Sequence, residues 1–190
     1  MNLFYKIKSK VLSFVSDIRF YPGGFILFGD SHYKIKGPDT RQILNELMPG
    51  DILLRRYSHY LGSVFIPGYF SHGAVYVGQN RVIHMLGEGI CEEDILTFLR
   101  CDDIAILRCV DMYKTQKAIQ AAEGYLKLKI DYDYDFDFDS SKRFSCTEFV
   151  DACYDYIAKD MLNKKMVMPD DFLNLAESRN FDVVWMRYKG

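Results

Sequence analysis

Two apolar, β-branched runs, Gly73 to Val77 and Arg81 to Leu86, flank Gly78-Gln79-Asn80, and this pattern commits the middle of the chain to a β-hairpin. The turn decides the register, and the register decides which side chains share a face. A two-residue loop at Gln79-Asn80 sets His84 opposite Val75 and turns it away from His72. A three-residue loop over Gly78 to Asn80, with Asn80 in the left-handed conformation it tolerates, sets His84 opposite Ala74 instead. His72 and His84 are then diagonal neighbours on one face, about 7–8 Å apart at the backbone and within side-chain reach. We expect the three-residue loop.

The flanking sequence supplies helices and further strands. Phe4, Ile7, Val11, Phe14, Val15 and Ile18 recur at helical spacing with the lysines mostly opposite, which predicts an amphipathic N-terminal helix ended by Tyr21-Pro22-Gly23-Gly24. Packing on the domain is the favoured role for it, and contact with a membrane surface or a partner is the alternative. Asp39 or Thr40 is expected to cap a short helix carrying Ile43, Leu44 and Leu47, and Asp51-Ile52-Leu53-Leu54 begins a strand after Pro49-Gly50. Tyr57 to Phe70 has no consistent period and reads as a long loop. Beyond the hairpin we expect a helix over Glu92 to Arg100 and a strand over Ile104 to Val110. A second helix follows over Lys114 to Leu128, with Ile119, Ala122 and Leu126 inward. Asp131 to Asp139 alternates acid with aromatic, the pattern of a strand with one carboxylate face. A solvated face suits it better than a calcium site, because no glycine bend draws the aspartates together. Phe149, Val150, Cys153, Tyr154 and Ile157 place a helix from about Ser145. Pro169-Asp170-Asp171-Phe172-Leu173 opens another helix, and Phe181 to Tyr188 closes the chain as a strand.

Composition narrows the class of partner. The 24 basic and 26 acidic residues leave a net charge of −2, which gives no long-range attraction for nucleic acid or an anionic membrane. A membrane surface is a partner that the sequence allows without favouring. The lysines at 6, 8 and 10 interrupt the first apolar stretch, so no signal peptide is expected, and no run approaches the roughly 18 apolar residues of a membrane span. A cytoplasmic, reduced setting agrees with five cysteines scattered without a CxxC pair or zinc-ligand spacing. No cofactor or metal is expected.

An odd thiol needs a reason, and Cys146 offers one. It falls in the first turn of a helix, where the dipole and free N–H groups favour a thiolate and can receive the oxyanion of an attacked carbonyl. Cys91, Cys101, Cys109 and Cys153 lie in or beside apolar segments and read as packing residues. A thiol of this kind requires a base, and the chain has four histidines, His32, His59, His72 and His84. With the three-residue loop, His72 takes the proton of Cys146 and His84 orients the His72 ring. His32 and His59 are reserves without special placement. Tyr57, Tyr60 and Tyr134 are candidate donors to the oxyanion, and nothing in the sequence chooses among them.

Taken in order, Pro49-Gly50-Asp51-Ile52-Leu53, Ser71-His72-Gly73-Ala74-Val75-Tyr76-Val77-Gly78, Val82-Ile83-His84, Tyr132-Asp133-Tyr134 and Phe144-Ser145-Cys146-Thr147-Glu148-Phe149-Val150 resemble the permuted papain-like hydrolases of the YaeF/YiiX and YebB kind. These are relatives of the NlpC-type cell-wall peptidases. The resemblance implies an α+β fold, papain-like with its order circularly permuted, in which a small antiparallel sheet bearing the base packs against the helix bearing the nucleophile. It also implies cleavage of an amide, in a peptide or amino-acid conjugate, through a thioester. The position matching His84 holds the third polar group. Glu is familiar there in permuted members and His in unpermuted ones, so Glu88 stands as the substitute orienter. Residues 1–45 are expected to form a helical extension and residues 46–190 the catalytic domain. Related permuted enzymes also move fatty acyl groups, so a lipid acyl hydrolase or acyltransferase is the first alternative, and an inactive binding module is the second.

Overall fold

The computed structural model describes residues 7–8, 10–11, 19–21, 25–27, 33–58, 66–135 and 143–187. Chain order gives β1 (Arg19–Tyr21), β2 (Phe25–Leu27), α1 (Gly37–Glu46), β3 (Ile52–Arg56), β4 (His72–Gly78), β5 (Arg81–Leu86), β6 (Gly89–Asp94) and α2 (Ile95–Phe98). Then follow β7 (Asp103–Cys109), α3 (Met112–Leu128), β8 (Asp131–Tyr132), β9 (Arg143–Phe144), α4 (Cys146–Cys153), α5 (Ile157–Leu162), α6 (Asp171–Glu177) and β10 (Phe181–Met186). Six of the strands form one antiparallel sheet in the order β10-β7-β3-β4-β5-β6.

The continuous apolar runs of β3, β4 and β7 are explained by burial on both faces. Ile52, Leu54, Val75, Ile83 and Leu107 face a core shared with Ala118 and Ala122 of α3 and with Phe149, Val150 and Cys153 of α4. Leu53, Ala74, Tyr76, Val82 and Ile106 face a second core with Ile35, Ile43, Phe98 and Trp185. Helix α4 is buried along its entire length. Ser145 caps it by accepting the N–H of Glu148, while the Glu148 carboxylate accepts the N–H of Ser145.

The hairpin has the expected register by a different device. His84 pairs with Ala74, but Gly78 pairs with Arg81, so the loop is the two residues Gln79-Asn80 and a bulge between Tyr76 and Gly78 supplies the one-residue shift. Gly78, Gln79 and Asn80 all have positive φ, at 91°, 53° and 62°, the twist that a tight hairpin turn demands. Gly78 carries that conformation without strain.

Elsewhere tertiary pairing overrides local pattern. Residues 89–94 form a strand against β5 and only 95–98 are helical, in place of the helix expected over 92–100. Within its described residues, 131–135, the acid-aromatic segment is a strand only at 131–132, where it pairs in parallel with β9. Asp133 is buried and accepts the N–H of Asp135, so that carboxylate is an internal turn former and not part of a solvated face. Residues 136–139 lie outside the described residues, as do 59–65 of the expected loop and most of the N-terminal helix, of which 7–8 and 10–11 are helical. Asp39 sits inside α1 and accepts the N–H of Lys36, the actual cap position. No described helix is long and apolar enough to cross a membrane.

Because Phe149 is wholly buried between α3 and the sheet, Phe149→Ala is expected to cost about 3–5 kcal/mol in urea unfolding. A cost below about 1 kcal/mol would show that α4 is not docked as described.

Candidate active site

Cys146 is the first residue of α4, immediately after its Ser145 cap. The helix packs on β4 where Gly73 offers no side chain, and a Cβ there would lie 3.4 Å from Val150 Cγ2 and 3.9 Å from the Cys146 carbonyl. The backbone N–H groups of Gly73, Thr147 and Cys146 itself lie near enough to the sulfur to favour its thiolate. The sulfur therefore rests against the strand one residue from His72, within the cradle of N–H groups that opens a helix.

His72 begins β4 and projects to the face carrying the second core, over Phe98. The expected diagonal pairing is present: His72 Nε2 and His84 Nδ1 are 2.9 Å apart, with the rings nearly perpendicular. One of these nitrogens must carry the proton and the other a lone pair. His84 engages Nε2 of His72, so Nδ1 of His72 takes no part in this contact. Glu88 is exposed at the β5–β6 turn and does not take the place of His84.

Two residues that the sequence reading missed complete the surroundings of the histidines. Arg55, at the end of β3, pairs across the strands with His72 and is buried. Its guanidinium lies 4.1 Å from the Phe98 ring centre and 4.9 Å from that of Tyr57, and Nη1 is 3.4 Å from Glu93 Oε2. Among the described residues its buried Nε has no hydrogen-bond partner. Glu93, on β6, also approaches His84 Nε2 at 3.5 Å, and Cys91 Sγ lies 3.4 Å from the same nitrogen. The signal for both was non-local: only the neighbourhood of β3, β4, β5 and β6 brings them to the imidazoles.

Burial sets the charge states. Desolvation, the Arg55 cation and His84 hold His72 well below the usual imidazole range, and desolvation with Arg55 brings His84 down to about 3. Desolvation also pushes the Cys146 thiol up, against the opposing pull of the three N–H groups and Arg55. The helix start alone favours a thiolate, yet the depth of the site outweighs it. The resting pair is neutral thiol and neutral imidazole. Two further thiols are also raised: Cys91, half-buried, to about 11, and Cys101 to about 12, both chiefly by desolvation.

Of the candidate tyrosines, Tyr134 donates its hydroxyl to the Gly87 carbonyl at 2.8 Å, and Tyr57 is held protonated by burial beside Arg55. Tyr60, His32 and His59 lie outside the described residues. No group of three or more His, Cys, Asp or Glu among the described residues is arranged to hold a metal ion.

The helix-start thiol belongs to the core on the α4 side of the sheet, and the imidazole pair lies over Phe98 of the second core. Residues 46–182 match the family described as permuted papain-like amidase enzymes, YaeF/YiiX, C92 family, and the chain belongs to that family. It is thus a thiol hydrolase of permuted papain-like type. Among solved structures, the chain is similar to one titled "Crystal structure of metalloprotein yiiX from Escherichia coli O157:H7", at 19% identity and a TM-score of 0.47. The likeness covers 74% of this chain and 87% of that one. No curated protein matches.

The imidazoles also predict a pH response of stability. The unfolded chain protonates His84 near pH 6.5 while the folded one keeps it neutral down to about 3, so protons favour unfolding throughout that window. Stability from His84 is complete above pH 6.5 and is expected to fall by about 1.4 kcal/mol per unit below it. His84→Asn should flatten the urea-unfolding slope between pH 6 and 4.5 by about that amount. An unchanged slope would mean that His84 titrates normally in the native protein.

Proposed function

We propose that the chain hydrolyses an amide bond, in a peptide or amino-acid conjugate, with Cys146 as nucleophile, His72 as base and His84 as orienter. What supports this reading is a thiol at the first residue of α4, docked against β4 at Gly73, with the adjacent strand residue His72 paired to His84 at 2.9 Å. In the tautomer that serves catalysis, His72 donates Nε2–H to His84 Nδ1 and keeps a lone pair on Nδ1 for the thiol.

Attack begins when the S–H proton passes to His72 Nδ1 as the sulfur bonds to the carbonyl carbon. Because both partners are neutral at rest, charge separates only as the substrate excludes the remaining water. The carbonyl oxygen gains the negative charge and is received by the N–H groups at the start of α4. Breakage of the C–N bond leaves a thioester on Cys146, and His72 gives its proton to the departing amine. Water, deprotonated by His72, then attacks the thioester, and the sulfur leaves with the proton returned.

Cys146→Ala is expected to abolish turnover of a fluorogenic acyl-amide panel by at least about 10³-fold, and His84→Ala to lower kcat by about 10²-fold or more. In the wild type, intact-mass analysis should find an acyl adduct on Cys146 that neutral hydroxylamine removes. Turnover that survives in Cys146→Ala would end the proposal. The acid limb of kcat/KM should lie well below pH 6.5, where neutral His72 is lost.

The same chemistry serves an acyl ester of a lipid, and the exposure of Ile7 and Val11 on the N-terminal helical residues is the observation that favours that reading. Turnover that requires micelles or bilayers would select it over a soluble amide.

A further inference from the structure

A cavity of about 410 Å³ opens at the end of the sheet where β3 stops and β7 starts, lined by Lys34, Arg56, Ser58, Tyr69, Asp102, Asp103 and Arg187. That size accommodates a substrate group rather than a lone ion. Its charges are unevenly spent. Asp102 accepts the N–H of Ser58 at 2.7 Å, and Asp103 accepts the Tyr69 hydroxyl at 2.5 Å and the N–H of Ile104 at 2.9 Å. The three cations contact only neutral groups among the described residues. Arg56 donates to the Tyr69 carbonyl and stacks 4.2 Å over the Tyr69 ring, and Arg187 donates to the Lys34 carbonyl. No carboxylate pairs with Lys34, Arg56 or Arg187 among the described residues.

The cavity opens at the same end of the sheet as the start of β4. Arg56 shares the strand parity of Leu54, whose partner across the strands is Gly73, the residue against which the Cys146 sulfur rests. One strand spacing and two residues of rise separate Gly73 from Arg56, roughly 8 Å between Cα positions. A group bound beside Arg56 is then about one to two residues of extended chain from the scissile carbonyl.

We infer that this cavity is a substrate subsite that binds a free carboxylate lying within a residue or two of the bond to be cut. The inference rests on the amide-hydrolase reading of Cys146 and narrows its substrates to carboxylate-bearing amides. Three cations against two carboxylates leave one net positive charge on the lining, which complements a monoanion. A phosphate dianion would lie against Asp102 and Asp103 with its second charge unmatched.

The test uses the full chain carrying Cys146→Ala, so that binding is read without turnover. By calorimetry, N-octanoylglycine is expected to bind about tenfold or more tightly than N-octanoylglycinamide, with octyl phosphate no tighter than the acid. Adding Lys34→Gln and Arg187→Gln, both at exposed positions, should erase the preference of acid over amide while the urea midpoint stays in place. Equal binding of acid and amide overturns the inference. So does a preference that survives the double substitution, tighter binding of the phosphate, or no binding of any probe at millimolar concentration. A retained carboxylate preference in a protein whose wild type shows no amide turnover would instead remove the enzymatic reading and leave the subsite standing.

Discussion

The contact on which the site depends is the docking of α4, end-on at Cys146, against β4 at Gly73. All eight residues of α4 are buried, and Phe149 and Val150 pack it on the sheet while Tyr154 at its end donates its hydroxyl to the Gly50 carbonyl. The sulfur is carried to the strand by that packing. The same burial that fixes its position strips it of water, so geometry and charge pull in opposite directions. Helix N–H groups lower the cost of a thiolate, and desolvation raises it further than they can offset. A site built this way is positioned before it is activated.

The imidazole half of the site depends on a one-residue count in the hairpin. Side chains alternate faces along a strand, so without the bulge between Tyr76 and Gly78 the residue opposite Ala74 would be Met85, and His84 would face Val75 on the side of α4. The three left-handed residues at the turn, 78 to 80, hold the bulge in place. A Cβ at Gly78 would meet Pro49 Cγ at 3.1 Å, so Pro49 crowds the turn from outside. The Pro49-Gly50 segment thus acts on the histidine register without touching a histidine.

What could be read from the sequence was what has a short period. The helix start at Cys146, the hairpin and the shared face of His72 and His84 follow from spacings of two and of three to four residues. The register came out right although the loop was assigned one residue too many, because a two-residue turn with a bulge and a three-residue loop displace the partner strand equally. Segments whose state is decided by a distant partner were misread. Residues 92–94 carry helix-compatible side chains and become strand because β5 offers an unpaired edge. Asp133 looks like one carboxylate of a solvated row and is buried where the chain bends after β8. Arg55 and Glu93 could not be found at all without the strand order, since 38 residues separate them and only the sheet sets both beside the imidazoles.

Arg55 gives the histidine pair its electrostatic character. A buried guanidinium beside two imidazoles disfavours a proton on either, and it favours negative charge on the sulfur. Alone it would make the imidazolium of the reaction expensive. Glu93 answers this from the third strand of the meander, within 3.4 Å of the guanidinium and 3.5 Å of His84. Its carboxylate thus lies beside both the cation and the inner imidazole. In the proposed reaction the charge on His72 would have a remote counterweight reaching it through His84, whereas the charge on the substrate oxygen would be met by backbone N–H groups. That reaction would spread the two developing charges over separate elements, sheet for the proton and helix for the oxyanion.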